Sequence, residues 1–303
     1  MNNSLPLQPV RFLDVGSPEA NKLLGPLAGL QGTWVNAPKT VGWNVIAVPG
    51  FAQGVPPDGF VLEVIPYTEI LTFQPAVVAA NRGPADKQEQ EVQQIGALIY
   101  EQKIISACNT DFCKARGFPN GSTIHMETGM FLNMTDFSSG MPIGRMSTIP
   151  HGNSLLALGT AETASGQAPV IPNNSISPSS VTGQMPFGYG EDQYLKNQFP
   201  NFEQGNPNSA LQAALEGKSF QSVTTLSLST EHATGGILNI PFIQSNVNTT
   251  SMVCVFWIEQ LKGGAPMLQY SQTIDLVFPA SGDPTKRLFI WPHVDVNTLA
   301  LQK

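Results

Sequence analysis

The side chains of this chain best placed to do chemistry lie in Ile124-His125-Met126-Glu127-Thr128-Gly129-Met130-Phe131-Leu132. Read as a strand, with side chains alternating, it carries His125 and Glu127 on one face and Met126, Met130 and Leu132 on the other. An imidazole beside a carboxylate can work as an acid–base couple or contact a bound cofactor. It can equally fix strand register through a hydrogen bond, as structural networks often do. His125 and Glu127 are therefore the candidate catalytic pair, with the structural role kept open beside it.

The other polar candidates are thinner. His232 shares strand parity with Leu226 and Leu228, which points it toward a core where it would line a cavity or be a satisfied internal imidazole. His151, in Ile149-Pro150-His151-Gly152-Asn153, reads as an exposed hairpin residue without a role. Met126, Met130 and Met134, with Met146 and Met252, could line a soft apolar cavity or simply fill gaps in a core. The three cysteines cannot all pair. Cys108 and Cys113 flank a loop and could bridge, but reduced thiols are the expectation, and Cys254 reads as a small core residue. No Cys-x-x-Cys or close His pair suggests zinc, no Gly-x-Ser-x-Gly elbow suggests a serine hydrolase, and Thr234-Gly235-Gly236-Ile237 reads as a hairpin turn rather than a phosphate loop.

The elements that must position these residues are almost all strands. Ser17-Pro18-Glu19 supplies a helix cap, a proline at the first helical position and an early acid, and Gly25-Pro26 is expected to stop that helix. A second short helix is expected around Ser209–Leu215, ended by Gly217. Strand periodicity is expected over Trp43–Val48, Phe60–Phe73, Ile95–Ile105, Thr123–Met134, Gly144–His151, Ser154–Gly159, Ser222–His232, Gly236–Ile243, Thr250–Leu261, Met267–Phe278 and Leu288–Leu301. In Met267–Phe278, Leu268, Tyr270, Ile274, Leu276 and Phe278 alternate with polar residues, the pattern of a half-buried antiparallel strand. About ten such strands suit a single all-β domain spanning 1–303, an up-and-down antiparallel barrel with a short N-terminal helix. Residues 160–220 break the pattern: they are rich in Pro, Ser, Asn and Gly and carry Phe187, Tyr189, Tyr194, Phe199 and Phe202. Aromatics at that density predict an ordered insertion, a lid or an interface arm, rather than a free linker.

Charged residues make up 12% of the 303, and the net charge is −7. Diffuse acidity without a basic stripe argues against nucleic acid. No apolar run approaches the ~20 residues of a membrane span. The opening residues lack the charged and apolar regions of a secretory signal, so a cytoplasmic location is expected. Low charge also predicts extensive burial or a large interface, which leaves a homodimer open.

Leu30-Gln31-Gly32-Thr33-Trp34, the His-x-Glu-x-Gly run and an imidazole near the C-terminus occur in an order that resembles the nitrobindin-like heme-binding β-barrels, cousins of the fatty-acid-binding barrels. The resemblance implies b-type heme in the barrel mouth, with His293 as the single axial iron ligand. It also implies an open iron face able to bind nitric oxide, react with peroxide or isomerise peroxynitrite. Phe289 and Trp291 share strand parity with His293 and would border the porphyrin, with Trp34 and His232 as further cofactor contacts; His125 and Glu127 would serve the distal side. A structural His beside a Trp-Pro bend is the plainer reading of His293. The chain departs from the family at Val35-Asn36-Ala37-Pro38, where a glycine pair is expected, and in its length. Two other functions stay open: an iron-free carrier of a fatty-acid-like or other apolar small molecule, with Arg145 or Arg82 as anion-binding group, and a cofactor-free catalytic barrel using His125 and Glu127.

Overall fold

The computed structural model describes residues 17–49, 60–76, 79–81, 93–134, 140–181, 196–279 and 288–302. The described chain opens with α1 (Pro18–Leu24), continues as a 3-10 turn over Gly25–Leu30 and enters β1 (Gly32–Asn36). β2 (Gly42–Pro49), β3 (Phe60–Pro75), β4 (Ala79–Asn81) and β5 (Gln93–Ser106) follow. α2 (Asp111–Ala115) separates β5 from β6 (Thr123–Met134); then come β7 (Ile143–Ile149), β8 (Asn153–Ser165) and β9 (Ser179–Ser180). α3 (Ser209–Ala214) precedes β10 (Phe220–Ser229) and β11 (Gly236–Asn239). α4 (Pro241–Asn246) then leads into β12 (Asn248–Leu261), β13 (Met267–Pro279) and β14 (Leu288–Leu301).

Strands pair antiparallel in the order β3–β5–β6–β7–β8–β10–β12–β13–β14. β1 and β2 lie end to end in the remaining gap, each bonded to β14 on one side and β3 on the other. The sheet thus closes into a ten-position antiparallel barrel, and closure leaves its main wall without open edges. The strand expected over Gly236–Ile243 ends at Asn239, because Pro241 fixes φ, lacks an N–H and starts α4 instead. β7 stops at Ile149, since Pro150-His151-Gly152 turn the chain with Gly152 at φ 108°.

One end of the barrel is plugged. Gly25-Pro26 ends α1 at Leu24 as expected, with Gly25 at φ 50°; the chain continues as the 3-10 turn and carries Leu27 and Leu30 into the lumen. There they join Leu24, Trp34, Leu71, Phe73, Leu98, Phe131, Ile258 and Leu299 in one buried cluster. The plug fits because position 96 is glycine: a Cβ there would stand 2.2 Å from the carbonyl oxygen of Leu23. Asn133 Nδ2 donates to that same oxygen at 2.8 Å. Each fully buried Leu of this kind contributes about 1.5–3 kcal/mol.

A second core lies outside the lumen. The strap between β8 and β10, described over 166–181 and 196–219, packs Ile171, Ile176, Phe202 and Leu211 against Val45, Val64, Val223, Trp257, Val294 and Val296. β8 runs to Ser165, so the strap begins later than residue 160. Trp43 stacks on Phe202 at 4.0 Å and meets Phe199 edge-on at 5.1 Å. Phe187, Tyr189 and Tyr194 lie outside the described residues.

Candidate functional site at the barrel mouth

Away from the plug, the inward-facing residues change character. Along β14 they run Leu301, Leu299, Asn297, Asp295, His293; along β6 they run Phe131, Gly129, Glu127, His125, paired across to Leu98, Tyr100, Gln102 and Ile104 of β5. Apolar packing gives way to a polar layer, and the polar layer ends in imidazoles at the open end.

The polar layer has two linked parts. In the first, Glu69 accepts hydrogen bonds from Gln102 Nε2, Tyr270 Oη and Asn297 Nδ2, each at 2.7 Å, and the hydroxyls of Tyr67 and Tyr270 stand 2.7 Å apart. Burial raises the Glu69 carboxyl above its ordinary value, and these donors only partly restore it. In the second part, Arg145 Nη2 donates to Glu127 Oε1 at 2.7 Å and Nη1 donates to Gln272 Oε1 at 2.7 Å. Tyr100 donates to Glu127 and accepts from Arg145 Nε at 3.2 Å, with the Ser147 hydroxyl as a further neighbour. The guanidinium also sits 5.5–5.8 Å from the ring centres of Tyr100, Phe131 and Phe256. Burial alone would push Glu127 up, but Arg145, then His125 and Tyr100, outweigh it and hold this carboxyl well below the usual range. Gly129 makes the arrangement possible, because a Cβ there would lie 2.0 Å from the Met146 carbonyl and 2.7 Å from the Tyr100 ring.

At the rim, His125 and Glu127 do share the lumen face: Nε2 of His125 is 3.4 Å from Glu127 Oε2. An ionised carboxylate can only accept, so Nε2 carries the proton in this contact. His293 repeats the arrangement on β14. Its Nε2 lies 3.3 Å from Asp295 Oδ2 and 2.7 Å from Asn44 Nδ2, and Asn44 Nδ2 also donates to Asp295 Oδ1 at 2.7 Å. Burial opposes ionisation of Asp295, yet His293 and Asn44 hold its carboxyl below the usual value. His151, in the β7–β8 turn, stacks on His125 with ring centres 5.4 Å apart. Its pKa is lowered by burial against these neighbours and by the charges of His125 and His293. Three of the four histidines therefore meet at one end of the barrel. Among the described residues, no three His, Cys, Asp or Glu side chains are grouped to hold a bare metal ion.

The remaining candidates lie elsewhere. Trp34 is fully buried at the plugged end, its Nε1 donating to the Leu30 carbonyl at 2.7 Å. Phe289 and Trp291 are fully buried in the second core, where both rings meet Phe60. His232 lies past the end of β10 beside Ser229 and Val253, because the strand stops at Ser229 before its parity can carry the ring inward. Met126, Met130 and Met146 face outward and are exposed; Met130 and Met146 line a groove of about 840 Å³ on the outer wall with Ile99, Leu156 and Leu238. Only Met252 joins the lumen core. Arg82 lies outside the described residues. Cys108 and Cys113, expected as thiols, are joined in a disulfide; Thr110 caps α2 and folds their Cα atoms to 6.1 Å. Cys254 is buried and free.

Sequence reasoning missed His151, Asp295 and Asn44, and it noted Arg145 only as an anion-binding group. One signal was present: His293-x-Asp295 repeats the spacing of His125-x-Glu127.

No protein-family model matches the chain, and no curated protein matches it. Among solved structures, Rv2717c from M. tuberculosis matches over 96% of this chain and 100% of its own, at 16% identity and a TM-score of 0.41. The barrel described above rests on its own strand pairings.

Proposed function

We propose that the open end of the barrel is a ligand site and that its ligand is b-type heme, held through His293. The observation carrying this reading is the pairing of His293 with Asp295 and Asn44 at the rim. A ligating imidazole characteristically donates its other N–H to a carboxylate, as Nε2 of His293 would to Asp295 Oδ2, with Asn44 holding that carboxylate in place; the contact orients the ring and raises its basicity. When bound, such a heme supplies an iron face open to nitric oxide or peroxide. His125, fixed by Glu127, and His151, whose pKa is lowered, are the groups able to hold or accept a proton beside it. Phe289 and Trp291 have no part in this reading, since both belong to the second core.

A cofactor-free proton-transfer site at His125 and Glu127 is the second reading, favoured by the Arg145 and Tyr100 contacts that keep Glu127 ionised. A carrier of apolar molecules in the lumen is less supported, because the lumen is filled by leucines, aromatics and the polar layer.

Hemin titration followed at the Soret band tests the proposal. Saturable binding is expected for the wild type, with loss or a blue shift of the band in His293→Ala at unchanged far-UV circular dichroism. His125→Ala should keep the iron bound and alter only ligand or peroxide reactivity. Absence of saturable hemin binding by the wild type would end the heme reading. Binding that survives His293→Ala but disappears in His151→Ala would move the axial role to His151.

A further inference from the structure

Glu259 stands apart from the mouth. It lies on β12 opposite Val223 of β10 and Met267 of β13, and it is fully buried in the seam under the strap. Gln269, on the same face of β13, is paired across to Trp257 and Thr298, one step from Glu259. Gln269 Nε2 donates to the Leu211 carbonyl of α3 at 3.0 Å and to Thr298 Oγ1 at 2.8 Å, which ties the strap to the wall. Its Oε1 and both carboxylate oxygens of Glu259 have no hydrogen-bond partner.

Three buried acceptors without a donor form a costly arrangement if all are bare. A proton on the Glu259 carboxyl lowers that cost: it converts one of the three acceptors into a donor, and Gln269 Oε1, one diagonal step away on the same face, is an acceptor without one. The facing elements offer little else: β10 presents Phe220 and Val223, β13 presents Met267 and Gln269, α3 presents Leu211, and none of these titrates. Lys218, in the turn after α3, is the charged group whose field reaches Glu259, and it is exposed to solvent.

We propose that Glu259 and Gln269 form a proton-operated clasp that fastens the strap carrying α3 to the barrel wall, closed while the Glu259 carboxyl is neutral and weakened as that proton is lost. Burial raises Glu259 from an ordinary 4.5 to about 8, with Lys218 pulling the other way. The direction follows from linkage. A carboxyl raised in the closed form keeps a proton that the open, solvated form releases. Opening of the strap therefore becomes more favourable as pH rises from 4.5 to about 8, by up to about tenfold per pH unit, and levels off above that. The mouth residues play no part in this device, so it stands independently of the heme proposal.

Hydrogen–deuterium exchange of residues 205–219 in the full chain, corrected for intrinsic rates, reads the clasp directly. Protection in the wild type should fall stepwise between pH 5.5 and 7.5 and flatten above about pH 8. Glu259→Gln, which supplies a neutral donor of the same shape, should hold protection high and remove the slope. Lys218→Met removes the charge that favours ionisation and should extend the falling limb to higher pH. A flat wild-type profile, or a slope that survives in Glu259→Gln, overturns the clasp. If Glu259→Gln fails to fold, Lys218→Met decides: a falling limb that ends where the wild type's ends also overturns it.

Discussion

Glu127 and Glu259 are both buried glutamates on strands of the same barrel, 2% and 0% exposed, and their surroundings act on them in opposite directions. Burial raises both. Glu127 faces the lumen, where Arg145, His125 and Tyr100 converge on it, and it is held ionised. Glu259 faces the seam under the strap, where its oxygens find no donor and only Lys218 exerts a field, and it is held neutral. The sign of the shift is decided by the partner, not by depth. Charge is kept at the mouth, where it orients an imidazole, and removed at the seam, where strap and wall must meet dry.

Removing the partner that distinguishes the two carboxylates should have the largest effect. Arg145→Met leaves Glu127 buried without its counter-charge, and chemical denaturation should register a loss of about 3–5 kcal/mol. Adding Glu127→Gln to that variant should recover much of the loss, because no uncompensated charge then remains. A double variant no more stable than the single one would show that Arg145 acts through its stacking on Tyr100, Phe131 and Phe256 instead.

Next in size is the opposite change at the seam. At pH 8, Glu259→Gln should raise stability by roughly 1–3 kcal/mol, the cost of buried acceptors left without donors. At pH 4 the gain should vanish. Melting temperature against pH sharpens the contrast. The depressed Glu127 contributes stability that is present above the ordinary carboxylate range and is lost as pH falls through its lowered folded value. Glu259, raised to about 8, contributes stability that drains away between 4.5 and 8. The wild-type maximum should therefore sit on the acidic side of neutrality, and Glu259→Gln should broaden it toward alkaline pH. A maximum at the same pH in both proteins would break the comparison. The smallest expected effect is Ser147→Ala, which removes one hydroxyl from Tyr100 and should cost about 0.5–1.5 kcal/mol.

Much of the scaffold was legible residue by residue. Thr123–Met134 and Leu288–Leu301 form strands with the expected bounds, and Ser209–Ala214 forms the expected helix. Alternation alone put His125 and Glu127 on one face, and the structure has them on the lumen side. Parity failed where a strand ended early. His232 follows Leu226 and Leu228 in register but lies past Ser229, and His151 reads as an inert turn residue until the β7–β8 turn folds it over His125. α2 was not foreseen, although Thr110 caps it, because five residues leave too short a period to recognise.

What the sequence determined by itself is local: which residues alternate, where proline and glycine interrupt, and which acids stand two residues from an imidazole. These follow from backbone geometry over a few residues and need no distant partner. The tertiary structure decided the rest. β1 and β2 share one position of the barrel because β14 and β3 are each long enough to pair with both. Glu127 is held ionised because strand pairing on either side of β6 sets Arg145 from β7 and Tyr100 from β5 beside it, and closure brings Gln272 of β13 to the guanidinium. Glu259 has no donor for its oxygens because the face it shares with Val223 and Trp257 is packed with apolar side chains, Leu211 of the strap among them. Pairing across the barrel joins residues far apart in the chain, and the solvation of a charge depends on those distant neighbours, which no short pattern records.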